Sequence, residues 1–310
     1  MFEQSTGSVA SSHGVNVVIY DEPSLREPRD GKAASRSSAN HDESVMILYS
    51  HATGFHGRVF APVAEHLRAF RQTTFDYRGY GDTIPPTGWQ LAWNGFGDDA
   101  LAVARHVVSR NTASSGVPPR IIGVGHSMGG AGLVMAALQE PRLFAALVLF
   151  EPIIFPPEVR SQAGRANPLA DVTRRRRRSF ASFEEALANF ASKPPLSSLA
   201  PAALEAYVRH GFTQRDGAVH IKCDPEFEAQ TYEMGAMHDT WQRLGDLKVD
   251  TWVLAGANAP SSPAAIAPRI AELLPRCTFV EWPDRGHFGP LEDPARFARF
   301  IADVAVASQP

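Results

Sequence analysis

Two residues of this 310-residue chain have the types and surroundings that acyl transfer needs, and a third can complete them. Ser127 lies in "RIIGVGHSMGGAGLVMAALQ", residues 120–139. Within it Gly125-His126-Ser127-Met128-Gly129 fits G-x-S-x-G, set between a short apolar run and an Ala/Leu-rich helical one. The motif requires that setting: a sharp strand-to-helix turn holds the serine at a strained backbone angle, and flanking glycines leave it room. The free N–H groups and dipole of the following helix favour a developing oxyanion. A dinucleotide loop is excluded, because Met128 stands where G-x-G-x-x-G starting at Gly123 needs its third glycine. His287 lies in "WPDRGHFGPLEDPARFARFI", 282–301, after the last apolar run and a Gly-containing turn. A histidine so placed reaches back to an earlier strand tip and serves as base to the serine.

These side chains need a rigid frame. Apolar runs predict strands over 15–20, 45–50, 73–76, 120–124, 145–150, 249–255 and 277–282. Helical spacing covers 59–71, 97–110, 128–139, 264–274 and 293–306. Continuous apolar strands alternating with helices predict an α/β fold with a doubly wound, mostly parallel sheet. Two stretches break the alternation. Residues 23–44 are polar and Ser/Pro-containing and read as a mobile surface loop. Residues 152–246 carry helical patterns but no strand run, which predicts a helical cap inserted after the sixth strand. The core is then 1–151 with 247–310.

Bulk properties exclude several classes. A net charge of −3 gives no general attraction to nucleic acid or anionic membrane. No apolar run approaches the roughly 18 residues of a membrane span, and "MFEQSTGSVASSHG" lacks the basic and apolar regions of a signal peptide. Cys223 and Cys277 form no metal or redox spacing, so free thiols in a cytoplasmic protein are expected. No motif points to a metal or nucleotide, and no cofactor is expected. The expected partner is a small-molecule substrate; a homodimer is compatible with a sequence that carries no oligomer signature. The run Arg174–Arg178 reads as a solvated face of a cap helix rather than an anion site. "FDYRGYGDT", 75–83, reads as a structural turn.

"HATGFHG", "DYRGYGD", "GHSMGG" and "DRGHF" occur in an order that resembles the α/β-hydrolases. The likeness is to the epoxide-hydrolase and haloalkane-dehalogenase-like branch with a helical lid, and it covers most of 45–305. The lid text and "LVLFEPI" are also similar to fungal toxin-biosynthesis-type hydrolases and their bacterial relatives. Epoxide- and halide-processing members use an aspartate nucleophile; Ser127 departs from that and points to ester-type chemistry. The resemblance implies an oxyanion hole from the N–H of Met128 and, if His51-Ala52 stands for the usual His-Gly, the N–H of Thr53. Phe55 and Phe288, beside these loops, are candidate pocket walls for an apolar substrate.

The third member is where the chain departs from its relatives. The family's commonest acid follows the seventh strand, where "VLAGANAP" offers Asn258 and Ala259 but no carboxylate. A second family solution puts the acid at the end of the sixth strand, and there "ALVLFEPIIF" places Glu151. A charge directly after five apolar residues needs a partner, and His287 supplies one. Asn258, Asp284 and Asp239 are the competitors. The expected function is a serine hydrolase acting on an ester, lactone or related acyl bond through an acyl-enzyme. The alternatives are C–C or thioester (CoA) hydrolysis on the same triad, or a low-turnover ligand-binding homologue.

Overall fold

Buried apolar strands make the frame. The computed structural model describes Phe2 and residues 7–22, 45–160, 167–257 and 262–308. Its main sheet is built from β1 (Gly7–Ala10), β2 (Asn16–Glu22), β3 (Val45–Ser50), β4 (Arg71–Phe75), β5 (Arg120–His126), β6 (Phe144–Phe150), β10 (Asp250–Ala255) and β11 (Cys277–Glu281). The order is β1-β2-β4-β3-β5-β6-β10-β11; β1 and β2 pair antiparallel, β2 is antiparallel to β4, and all further pairs are parallel. β3 is buried throughout, as its sequence "VMILYS" demands. Of the main-sheet helices α1 (Ala61–Glu65), α2 (Asn94–Ser115), α3 (Met128–Gln139), α9 (Ala267–Leu273), α10 (Gly289–Glu292) and α11 (Pro294–Ala307), α2, α3 and α9 pack in the core on one face of the sheet. α1 and α11 cover the other. α3 is buried from Met128 to Ala137, so its small residues let it lie against both sheet and α2.

The expected strands and most of the helices are present, with three differences. β1 was not expected, since four largely exposed residues carry no alternation. The helix predicted over 59–71 is only α1, preceded by a 3-10 turn at Gly57–Phe60. Buried Gln72 explains the early stop: its Nε2 donates to the Ala64 and Leu67 carbonyls at 3.0 and 3.1 Å, satisfying groups a longer helix would have used.

The third difference is in residues 152–246. Helices α4 (Pro157–Arg160), α5 (Pro168–Arg174), α6 (Phe183–Ala191), α7 (Pro201–Gly211) and α8 (Pro225–Glu233) are there, but so is a three-stranded antiparallel sheet. It comprises β7 (Ser179–Phe180), β8 (Phe212–Arg215) and β9 (Ala218–Ile221) in the order β7-β9-β8. These strands are too short to show a period. Their signal was the turn Asp216-Gly217, whose φ values of 51° and 74° are those of a tight Asp-Gly hairpin. The arginine run is not a helix face: α5 ends at Arg174, and Arg175–Arg178 run on toward β7. The predicted loop 23–44 and Asn258 with Ala259 lie outside the described residues.

"FDYRGYGDT" is structural, as expected. Buried Asp76 accepts the N–H groups of Gly57 and Asp82 and the Tyr20 hydroxyl, and Arg78 is buried against Asp99. Among the described residues both cysteines are unbridged, and no helix is long and apolar enough to cross a membrane.

Candidate active site

The parallel strands deliver the site to one edge of the sheet. Ser127 joins β5 to α3 with φ 57° and ψ −119°, a conformation that non-glycine residues adopt only where the surroundings impose it. The turn is held by its backbone: the Ser127 N–H donates to the Phe150 carbonyl at 2.9 Å, and its carbonyl accepts the Ile153 N–H at 3.1 Å. Gly129 is required by close approach, since a Cβ there would lie 2.1 Å from the Ser50 carbonyl oxygen. The Ser50 hydroxyl donates to the Gly129 carbonyl at 2.9 Å and ties α3 to the tip of β3.

Glu151 follows β6, one strand along from the serine. Its φ of 44° is the second strained value at the site. Its N–H donates to the Leu254 carbonyl at 2.9 Å, which continues the β6–β10 ladder past the strand end. The carboxylate is 1% exposed, and both oxygens are engaged. Oε1 accepts the Gly256 N–H at 2.8 Å, and Oε2 lies 2.6 Å from Nδ1 of His287. A carboxylate this deep needs such partners, because leaving it unpaired costs about 3–5 kcal/mol.

His287 is pinned from several sides. Buried His126 donates from Nε2 to the His287 carbonyl at 2.8 Å, and their rings lie 4.9 Å apart. Burial and the neighbouring His287 push His126 well below the ordinary histidine range, so it acts as a neutral donor. The Arg285–Gly286 turn presses on Gly256, where a Cβ would lie 2.5 Å from both carbonyl oxygens. The Glu151 contact fixes hydrogen on Nδ1, which leaves Nε2 with a lone pair to take a proton.

The loop after β3 packs against the serine turn, where a Cβ on Gly129 would lie 2.6 Å from the His51 carbonyl oxygen. Buried His51 accepts the Tyr77 N–H at Nε2 (3.0 Å), so its Nδ1 carries the hydrogen and donates to the Ala52 carbonyl at 2.8 Å. Burial lowers its pKa to about 4, so it is neutral at pH 7 and serves to brace the loop. Thr53 and Met128 are both buried, and neither backbone N–H finds an acceptor among the described residues. Buried orphan donors are rare, and two of them, one in the serine turn and one in the loop packed on it, are of the type that can hold a transient oxyanion.

A pocket of about 440 Å³ opens on this loop. Thr53, Gly54, Phe55 and Phe288 line one side, and residues of the 152–246 segment, among them Phe190, Tyr207 and Tyr232, the other. Phe55 lies 5.4 Å from Phe288 and 5.2 Å from Tyr207, ring centre to ring centre. The structure therefore brings Ser127, Glu151, His287, Thr53, Met128, Phe55 and Phe288 to one sheet edge. It does not bring the competing acids to the histidine. Asp284 is exposed and paired with Arg296 at 2.8 Å and Arg285 at 2.9 Å, which hold its carboxyl below the usual range. Asp239 is exposed beside a 3-10 turn. The bracing roles of His51 and His126 and the pairing of Arg176 with Glu228 are not legible in the sequence. Arg176 lines the pocket and pairs with buried Glu228, which corrects the expectation of a solvated helix face for the run.

A doubly wound sheet with a serine elbow, a His–Glu pair and orphan N–H donors at one edge defines a class of hydrolase. Residues 47–300 match the model of the alpha/beta hydrolase family, and the chain belongs to that family. An abhydrolase domain-containing protein of Alternaria alternata, ACTT2-1, is 28% identical over 59% of this chain and 82% of its own. The peroxisomal alpha-beta-hydrolase Lpx1 of Saccharomyces cerevisiae superposes with a TM-score of 0.71 at 16% identity, over 100% of this chain and 88% of its own. A thermophilic esterase from Thermogutta terrifontis superposes with a TM-score of 0.66 at 20% identity, over 99% and 100%.

Proposed function

We propose that the protein is a serine hydrolase that cleaves an ester, lactone or related acyl bond of a largely apolar small molecule. The observation that carries this reading is the 2.6 Å contact between Glu151 Oε2 and His287 Nδ1, at the strand tips beside Ser127. Ser127 Oγ attacks the acyl carbon while His287 Nε2 takes its proton, and the oxyanion settles on the N–H groups of Thr53 and Met128. His287 then gives that proton to the leaving oxygen, and an acyl-Ser127 ester remains. A water attacks this ester, its proton passes to His287, and collapse returns Ser127 and frees the acid. Throughout, Glu151 holds the imidazole and stabilises its charged form. Residues 152–246 act as a cap that confines the acyl group against Phe55 and Phe288.

The test is a panel of chromogenic esters, aliphatic and aromatic lactones, and acyl-CoA thioesters. Esters or lactones are expected to reach kcat/KM of about 10⁴ M⁻¹s⁻¹ or more for a fitting acyl group. Release at the buffer rate across the panel would instead mark a ligand-binding homologue. Turnover confined to thioesters would move the assignment to that class.

A further inference from the structure

The two walls of the pocket differ in chemistry. The side formed by Phe55 and Phe288 is apolar, but the opposite side carries Arg175, Arg176, Arg177 and Lys193 against a single carboxylate, Glu228. Two of these cations are compensated: Arg176 by Glu228, and Arg177 by Glu185 at 2.8 Å. Arg175 has no carboxylate partner among the described residues, and Lys193 donates to the neutral Asn189 Oδ1 at 2.7 Å. Four cations and two paired carboxylates leave two positive charges on a largely apolar cavity.

The charges are graded in depth. The Arg176 side chain is 19% exposed, while Arg175 and Lys193 are exposed at the rim. The Arg176 Nε–H is enclosed and has no acceptor among the described residues, so the guanidinium keeps an unspent donor. Glu228 sits on the inner side: a Cβ on Gly54 would lie 2.6 Å from its Oε1, next to the Thr53 donor. Arg176 pairs with the other oxygen, Oε2, and offsets the Glu228 charge. Thr53, Phe55, Tyr207, Phe288 and the arginines line one pocket, so an acyl group bound at Thr53 and running along it would bring its far end to positive charge.

We propose that this wall is a subsite for a carboxylate on the far end of an otherwise apolar acyl substrate, with Arg176 as inner contact and Arg175 and Lys193 at the rim. The proposal rests on the serine hydrolase reading for its orientation: the scissile bond at Ser127, the free carboxylate at Arg176. A guanidinium favours this ligand, because it stays charged when partly desolvated and its N–H donors match the planar carboxylate. Half-esters of dicarboxylic acids and carboxylate-bearing lactones are the substrates that fit.

The probes are the mono-4-nitrophenyl ester of heptanedioic acid and the same ester with its free acid replaced by the primary amide. The parent enzyme is expected to prefer the acid-ended ester by about tenfold or more in kcat/KM, and Arg176→Gln to bring that ratio close to one. Arg175→Gln with Lys193→Gln, both at exposed positions, guards against misfolding. This double variant is expected to cut the ratio about threefold and to weaken its salt dependence. Heptanedioate and its diamide titrated calorimetrically into Ser127→Ala, with and without Arg176→Gln, read the subsite without turnover. Arg176-dependent binding of the dianion alone, with no ester hydrolysed, keeps the subsite and removes the hydrolase. Ester turnover with no Arg176-dependent preference does the reverse and overturns the subsite. Equal turnover of acid- and amide-ended esters by the parent also overturns it.

Discussion

Ser127→Ala is expected to lower kcat on a chromogenic ester by about 10⁵–10⁶-fold while the protein stays folded. The size of the loss follows from the loss of the covalent path: without Oγ, His287 has no nucleophile to deprotonate within the elbow, and only the oxyanion donors and binding contacts remain. The fold should tolerate the change, because the turn is held through the Ser127 N–H to Phe150 and the Ser127 carbonyl to Ile153. Alanine places the same Cβ at the same φ of 57°. The measurement is kcat by stopped time-course, with circular dichroism and a denaturant midpoint to confirm folding. A folded Ser127→Ala enzyme within a hundredfold of the parent would mean that another group attacks the ester.

Glu151→Gln is expected to reduce kcat by about 10³–10⁴-fold, with a smaller change in KM. Its surroundings decide how the amide settles. The Gly256 N–H donates to Oε1 at 2.8 Å, so the amide oxygen must keep that position. The amide NH₂ then faces Nδ1 of His287, across the present 2.6 Å contact, and donates to it. Hydrogen is displaced to Nε2, and the imidazole can no longer accept the Ser127 proton. The alternative flip sets an NH₂ against the Gly256 N–H and leaves a buried donor unmatched, at about 1–3 kcal/mol. Either way the negative charge that stabilises the imidazolium is gone. Asp284→Asn is the control, with an expected loss under about tenfold, because Asp284 is exposed and spent on Arg285 and Arg296. A folded Glu151→Gln enzyme within tenfold of the parent, beside a collapsed Asp284→Asn, would put the acid next to the histidine instead.

Much of this architecture is legible from residue types and local pattern. β3, β5 and β6 are buried on both faces and therefore read as continuous apolar runs, and the Ser127 elbow announces itself through its glycines. Glu151 is legible because a charge at the tip of an apolar strand requires a partner, although nothing in the sequence states which one. The segment 152–246 is harder. β7 has two residues and β8 and β9 four each, so their pairing comes from the Asp216-Gly217 hairpin and from packing rather than alternation. The arginine run fails for a different reason: five identical residues carry no period. Which of them turns inward depends on where α5 ends and on Glu228 arriving from α8, about fifty positions on. His51 and His126 likewise act through backbone groups, the Tyr77 N–H and the His287 carbonyl, that only the folded chain brings near.

The central claim is that Ser127 is the nucleophile of an acyl-enzyme, and covalent trapping tests it most directly. An elbow serine beside a histidine base is far more nucleophilic than the chain's other serines, so an alkyl fluorophosphonate should add once. Peptide mass spectrometry should place the adduct on Ser127, and Ser127→Ala should take up none. Unmodified parent protein under conditions that label a control esterase, or an adduct mapped to a different serine, would contradict the account.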